Sequence, residues 1–157
     1  MASWKEPPKA KIYEALSAVA DGRVQLAADY AEVGSSDGAK TYRVVWTPDM
    51  TGFGSNDNAS FFVGYIGYPI IAVLFQLGRL PVDPDLVGRL GNINWNQLNK
   101  RFSRDYDKAV DAALEAAALT QPEIEKIRAY VDSVFASLLA LDLDRIRPPG
   151  APPKRSS

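Results

Sequence analysis

The spacing of apolar side chains changes period along the first third of the chain. In "PPKAKIYEALSAVADGR", Ile12, Leu16 and Val19 recur at helical spacing, joined by Tyr13 and Ala20. Prolines stand where a helix starts and Gly22 where it stops, so the stretch predicts a first helix. From Val24 the period falls to two. Val24 and Leu26 alternate with Arg23 and Gln25, Ala31 and Val33 with Tyr30 and Glu32, and Tyr42, Val44 and Trp46 with Thr41 and Arg43. Such runs, parted by "AD" and "SSDGA", predict a three-stranded antiparallel meander. Asp37-Gly38 suits its second turn, because these residues tolerate positive φ, and Pro48 closes the third strand for want of an N–H.

A loop, "DMTGFGSNDNA", leads into "SFFVGYIGYPIIAVLFQLG", nineteen residues without a charge. About 20 apolar residues span a bilayer. Pro69 splits this run, however, and Gln76, the glycines and the tyrosines dilute it. A segment apolar on all sides is central in a globule or lies in a membrane. The meander needs an apolar partner, so residues 61–77 are expected as the core. A third reading comes from Gly64-Tyr65-Ile66-Gly67, which resembles the glycine loop of KH domains, where the loop clamps backbone nucleotides. Here the bracketed pair has no basic member and no final strand follows.

The remainder reads as helices. Pro81, Pro84, Gly88 and Gly91 leave room for one short helix near residues 85–90. A long helix is expected over residues 93–119, with Trp95, Leu98, Phe102, Ala109, Ala113 and Ala117 on one face. A last helix starts at the capping box Thr120/Glu123. The fold class is α+β: an N-terminal helix, the meander, and a helical C-terminal part packed on the sheet, as one domain over residues 1–147. Its expected core is Leu16, Val24, Val44, Trp46, Phe62, Ile66, Ile70, Val73, Leu74, Leu98, Phe102, Ile127, Val131, Phe135 and Leu138. Residues 148–157 form a flexible, basic, proline-rich tail, four prolines and a glycine in "RPPGAPPKRSS" precluding a helix or a central strand.

Composition narrows the chemistry. Neither cysteine nor histidine occurs, which removes thiolate nucleophiles, Cys/His zinc sites and the commonest general base. A net charge of −1 argues against wholesale coating of nucleic acid while permitting a local basic patch. No apolar leader begins the chain, so a cytoplasmic location is expected. No phosphate-binding loop, dinucleotide fingerprint or Ser-x-x-Lys stretch occurs. An enzyme is therefore the weaker class, and no cofactor is expected.

Two clusters remain. On the expected long helix, Lys100, Arg101, Arg104 and Lys108 fall within roughly a 100° arc opposite the apolar stripe. They crowd its N-terminal half, against the helix dipole, so an acidic partner is expected there: nucleic acid or an acidic protein face. The alternative is a small metal-dependent hydrolase using Asp49, Asp57 and the neighbouring Asn56 and Asn58, since hard cations favour such oxygens. Asn94 is expected to cap a helix. Taken together, "ADGRV", "SSDGAKTYRVVW", "SNDNASFFVGYIGYP" and "INWNQLNKRF" resemble a small uncharacterised family of archaeal proteins, over residues 15 to 110 or so. That resemblance implies a soluble, intracellular, thermophilic protein and brings no activity or site residues.

Overall fold

The structure, a computed structural model, describes residues 3–154, and the last three residues of the expected tail lie outside them. Helix α1 (Ala10–Ala20) forms as its spacing dictates and ends before Gly22, whose φ is +67°. It is followed by β1 (Val24–Leu26), β2 (Tyr30–Gly34) and β3 (Thr41–Trp46), antiparallel in sequence order. Val33 faces Tyr42 and Ala31 faces Val44, which puts the alternating apolar positions on one buried face.

The sheet has five strands rather than three. Strand β4 (Gly52–Ser55) pairs antiparallel with β3, and β5 (Asp144–Arg145) pairs parallel with β4. The expected loop hid β4 because glycine is depleted in strands and two of its four residues are glycines. Those glycines serve the close approach of the chain end. A Cβ on Gly54 would lie 2.9 Å from the Ile146 carbonyl oxygen. Strand β5 is two residues long and comes from the far end of the chain, so no local pattern announces it.

The uncharged run divides. A π-helical turn (Ala59–Val63) ends at Gly64, whose φ is +94°, and α2 (Tyr68–Gln76) begins after it with Pro69 in its first turn. Every residue of α2 from Pro69 to Phe75 is buried, because the helix is enclosed between α1 and the inner face of the sheet. Phe62, expected in the core, is 70% exposed on the turn. Among the described residues no helix is long and apolar enough to cross a membrane. Ile66 is buried and the Gly67 N–H donates to Ser60 Oγ at 3.1 Å, so this turn does not present an open glycine loop between helices.

The helical part begins with α3 (Pro84–Val87), which runs on into a 3₁₀ turn (Gly88–Leu90). The expected long helix is two helices, α4 (Trp95–Arg101) and α5 (Tyr106–Ala116). Ser103 and Arg104 sit between them with φ of +52° and +65°. Asp105 caps α5 through its carboxylate and the Lys108 N–H. Leu98 and Phe102 are half-buried rather than buried as a result. Helix α6 (Gln121–Ala140) opens with the expected Thr120/Glu123 capping box and buries Ile127, Val131, Val134 and Leu138. Residues 148–154 contain neither helix nor strand.

Candidate functional site: a polar cavity with a cationic rim

Beside this apolar interior lies a cavity of about 290 Å³ whose walls are polar. Its floor begins on α1. Lys11 and Glu14 are three residues apart, so they share a side of the helix. Both are buried, at 8% and 5% exposure, and Lys11 Nζ stands 2.9 Å from Glu14 Oε2. Asn99 Nδ2 donates to the other Glu14 oxygen at 3.3 Å, and the Lys11 ammonium lies 4.1 Å from the Tyr106 ring centroid. Burial by itself would lower the pKa of Lys11. The Glu14 carboxylate, with Tyr65 and Tyr106 beside it, outweighs burial and holds the pKa above its ordinary value. The cavity floor thus carries a buried Lys11–Glu14 pair.

Tyrosines supply the walls. Tyr42 on β3 meets Tyr68 at the start of α2 edge to face, with ring centroids 6.2 Å apart. Burial pushes the Tyr42 and Tyr65 hydroxyls up to about 12 and Tyr68 further still. All three stay neutral at physiological pH and offer O–H groups without charge.

Asp57 completes the floor from the segment between β4 and the π-helical turn. It is 5% exposed, and its Oδ2 accepts the Ser60 N–H at 3.1 Å. Oδ1 is buried and has no partner among the described residues. The carboxylate is wedged against Gly67, where a Cβ would lie 2.1 Å from Oδ2. Only glycine fits there, so the sequence at 67 fixes where the Asp57 charge sits.

The rim is cationic. Lys40 comes from the β2–β3 hairpin, and Lys100 and Arg104 come from the end of α4 and the link to α5. Asp37 shares the hairpin; the Ala39 N–H, Ser35 Oγ and the Asn96 side chain hold its carboxyl down at about 2. Among the described residues, none of the three rim cations forms an ion pair. Arg104 reaches its place in a left-handed backbone conformation that costs a non-glycine residue about 1 kcal/mol or more.

The basic cluster expected from the sequence is therefore divided. Lys100 and Arg104 line the cavity, whereas Arg101 lies over the Phe102 ring, 5.1 Å from its centroid, and Lys108 stands 3.9 Å from Asp105. The apparent conflict with the helix dipole narrows to α5, where Lys108 in the first turn and Glu115 in the last still oppose it. Lys100 and Arg101 occupy the last turn of α4, where cations are favoured, and Asp107 the first turn of α5, where anions are.

The acidic cluster is also split. Asp49 belongs to the β3–β4 turn, where it accepts from Thr47 and Thr51, at the opposite end of β4 from Asp57. Asn56 accepts from the Arg43 N–H, and Asn58 lines the cavity. Asn94 caps α4, as expected. Among the described residues, no group of three or more carboxylates is placed to hold a metal ion.

Sequence reasoning missed Lys11, Glu14 and the tyrosines. A signal was available: Lys11 and Glu14 are the two charged positions of an otherwise nearly apolar helix, three residues apart. What surrounds them is set by non-local packing, so the pair reads locally as an ordinary surface pair.

Neither curated proteins nor solved structures gave a match to this chain. A family model described as "Uncharacterised conserved protein UCP014422" matches residues 4–144, a span that holds β1 to β4, α1 to α6 and every residue of the cavity. By that match the chain belongs to the family of uncharacterised conserved proteins UCP014422.

Proposed function

We propose that the chain is a non-catalytic binding protein that receives the acidic group of a partner on the cationic rim of this cavity. One observation carries the reading. Lys40, Lys100 and Arg104 come from separate elements and converge on one concavity, none of them in an ion pair among the described residues, and Arg104 is held in a strained backbone. Backbone strain retained beside a cavity points from an outlier to a function. An unpaired cation triplet matches phosphate or carboxylate, which Arg binds in a fork and Lys as a point charge.

Nucleic acid and an acidic protein face are the two sources of such a group. Salt-dependent capture of a labelled single-stranded oligonucleotide, set beside a Glu-rich peptide, separates them, since binding nucleic acid releases counterions and falls steeply with salt. The Lys100→Ala/Arg104→Ala variant is expected to lose capture, and Arg101→Ala/Lys108→Ala to keep it. Equal capture by both variants would sink the reading. A cytoplasmic, thermophilic archaeal setting belongs to the same proposal, supported by the lack of cysteine and the prolines in loops. An unfolding temperature of about 45–65 °C, the mesophilic range, would count against it.

A further inference from the structure

The rim explains an acidic group and leaves the floor of the cavity unexplained. Four cations line it (Lys11, Lys40, Lys100 and Arg104) against three carboxylates (Glu14, Asp37 and Asp57), an excess of one positive charge. The charges are also segregated. Lys11 and Glu14 satisfy each other at 2.9 Å, and Asp37 is held by its own hairpin. What remains is a pole of cations at the mouth and the Asp57 carboxylate in the floor. Burying a carboxylate oxygen that has no partner among the described residues costs stability. A fold indifferent to that charge could place asparagine here and keep the Ser60 cap. Instead it keeps aspartate and glycine at 67 in register, because any larger residue at 67 would strike the carboxylate.

We infer that the cavity is a site for a small amphoteric molecule, with a phosphate or carboxylate at one end and an ammonium or hydroxyl at the other. The acidic end sits between Lys100 and Arg104, and in this respect the inference rests on the rim reading above. The other end donates to the Asp57 carboxylate, which lines the cavity floor. The neutral hydroxyls of Tyr42 and Tyr65 and the amides of Asn96 and Asn99 line the path between the poles and fit a polar linker. An ammonium is preferred to a hydroxyl, since it neutralises the buried carboxylate as well as bonding it. A cavity of about 290 Å³ has the size of a small-molecule pocket.

The test compares three series of alkyl phosphates of increasing chain length, bearing a terminal amine, a terminal hydroxyl or no end group, by titration calorimetry. On the full chain, some length of the aminoalkyl series is expected to bind about tenfold or more tighter than its plain alkyl counterpart, with the hydroxyalkyl compound between them. In Asp57→Asn, whose amide oxygen still caps Ser60, that advantage is expected to vanish while plain alkyl phosphate binds as before. Lys100→Ala/Arg104→Ala should weaken every series alike. Equal binding of the three series to the unaltered protein overturns the inference, whether or not the Asp57 variant folds, and leaves the rim reading standing. Retention of the amine advantage in a folded Asp57→Asn protein also overturns it. If no series binds, and an oligonucleotide and a Glu-rich peptide fail as well, the rim reading falls with it.

Discussion

Two sides of α1 bury comparable amounts of side chain for different ends. Ile12 and Leu16 are fully buried in the apolar core around α2 and β3, where neighbours such as Leu74 and Val44 carry no polar atoms. Lys11 and Glu14, interleaved with them in sequence, are nearly as buried, yet they face a cavity of tyrosines, asparagines and the Asp57 carboxylate, one oxygen of which has no partner among the described residues. The first side is what folding alone requires, since apolar burial is favourable everywhere. The second is what folding alone would avoid. A buried ion pair at best offsets its own desolvation, and apolar residues of similar volume often serve as well or better. The contrast locates function by its cost in stability.

Breaking one partner of the polar side should have the largest effect. Glu14→Gln or Lys11→Met leaves an uncompensated buried charge and is expected to cost about 3–5 kcal/mol in denaturant unfolding. The double variant Lys11→Met/Glu14→Gln should recover most of it. If the single variants cost less than about 1 kcal/mol, the pair is not buried as described. On the apolar side, Leu74→Ala is expected to cost about 2–5 kcal/mol through lost burial and the space left behind, with no effect on ligand capture. A comparable loss of capture there would erase the contrast between the two sides.

The apolar side was the legible one. Periods of 3.6 and 2 found α1 and the meander, because each local pattern agrees with the face it buries, and the uncharged run marked the core segment that holds α2. The capping residues Asn94 and Thr120 were legible for the same reason: a cap is a local event. Strands β4 and β5 were not, since one is half glycine and the other exists only as a non-local pairing. The break between α4 and α5 hid behind continuous helical composition, although Asp105 is a residue type that favours a helix N-cap. Of the four basic residues singled out in the sequence, Lys100 and Arg104 line the cavity and Arg101 and Lys108 do not, and the left-handed residues Ser103 and Arg104 part α4, which carries Arg101, from α5, which carries Lys108.

A smaller effect sharpens the comparison at Gly67. Gly67→Ala drives a methyl into the Asp57 carboxylate and is expected to cost about 1–3 kcal/mol. Asp57→Ala made in the same chain should return part of that loss, as read by a double-mutant cycle. Strict additivity of the two changes would contradict the wedge.

High pH should then act on the polar side first. Burial raises Tyr13, Tyr42 and Tyr65 to about 12, and charge pairing raises Lys11 above its ordinary value. For groups raised in the folded state, the folded form holds more protons than the unfolded chain once pH passes the ordinary tyrosine value of about 10. Their contribution is whole below that point and is lost as pH rises toward 12. Thermal unfolding followed from pH 7 to 9 should be flat in these groups and should fall beyond 10. A fall already complete at pH 9 would mean these groups are not buried as described.

The most direct test of the central claim exploits the strain at Arg104. Arg104→Gly relieves a left-handed backbone and removes a rim cation in one step. Melting temperature and capture of a polyanion, measured on the same preparation, should move in opposite senses: stability up by about 0.5–1 kcal/mol and capture weakened severalfold. A variant that is more stable and still captures the polyanion as well as the parent would contradict the claim that Arg104 is held there to bind.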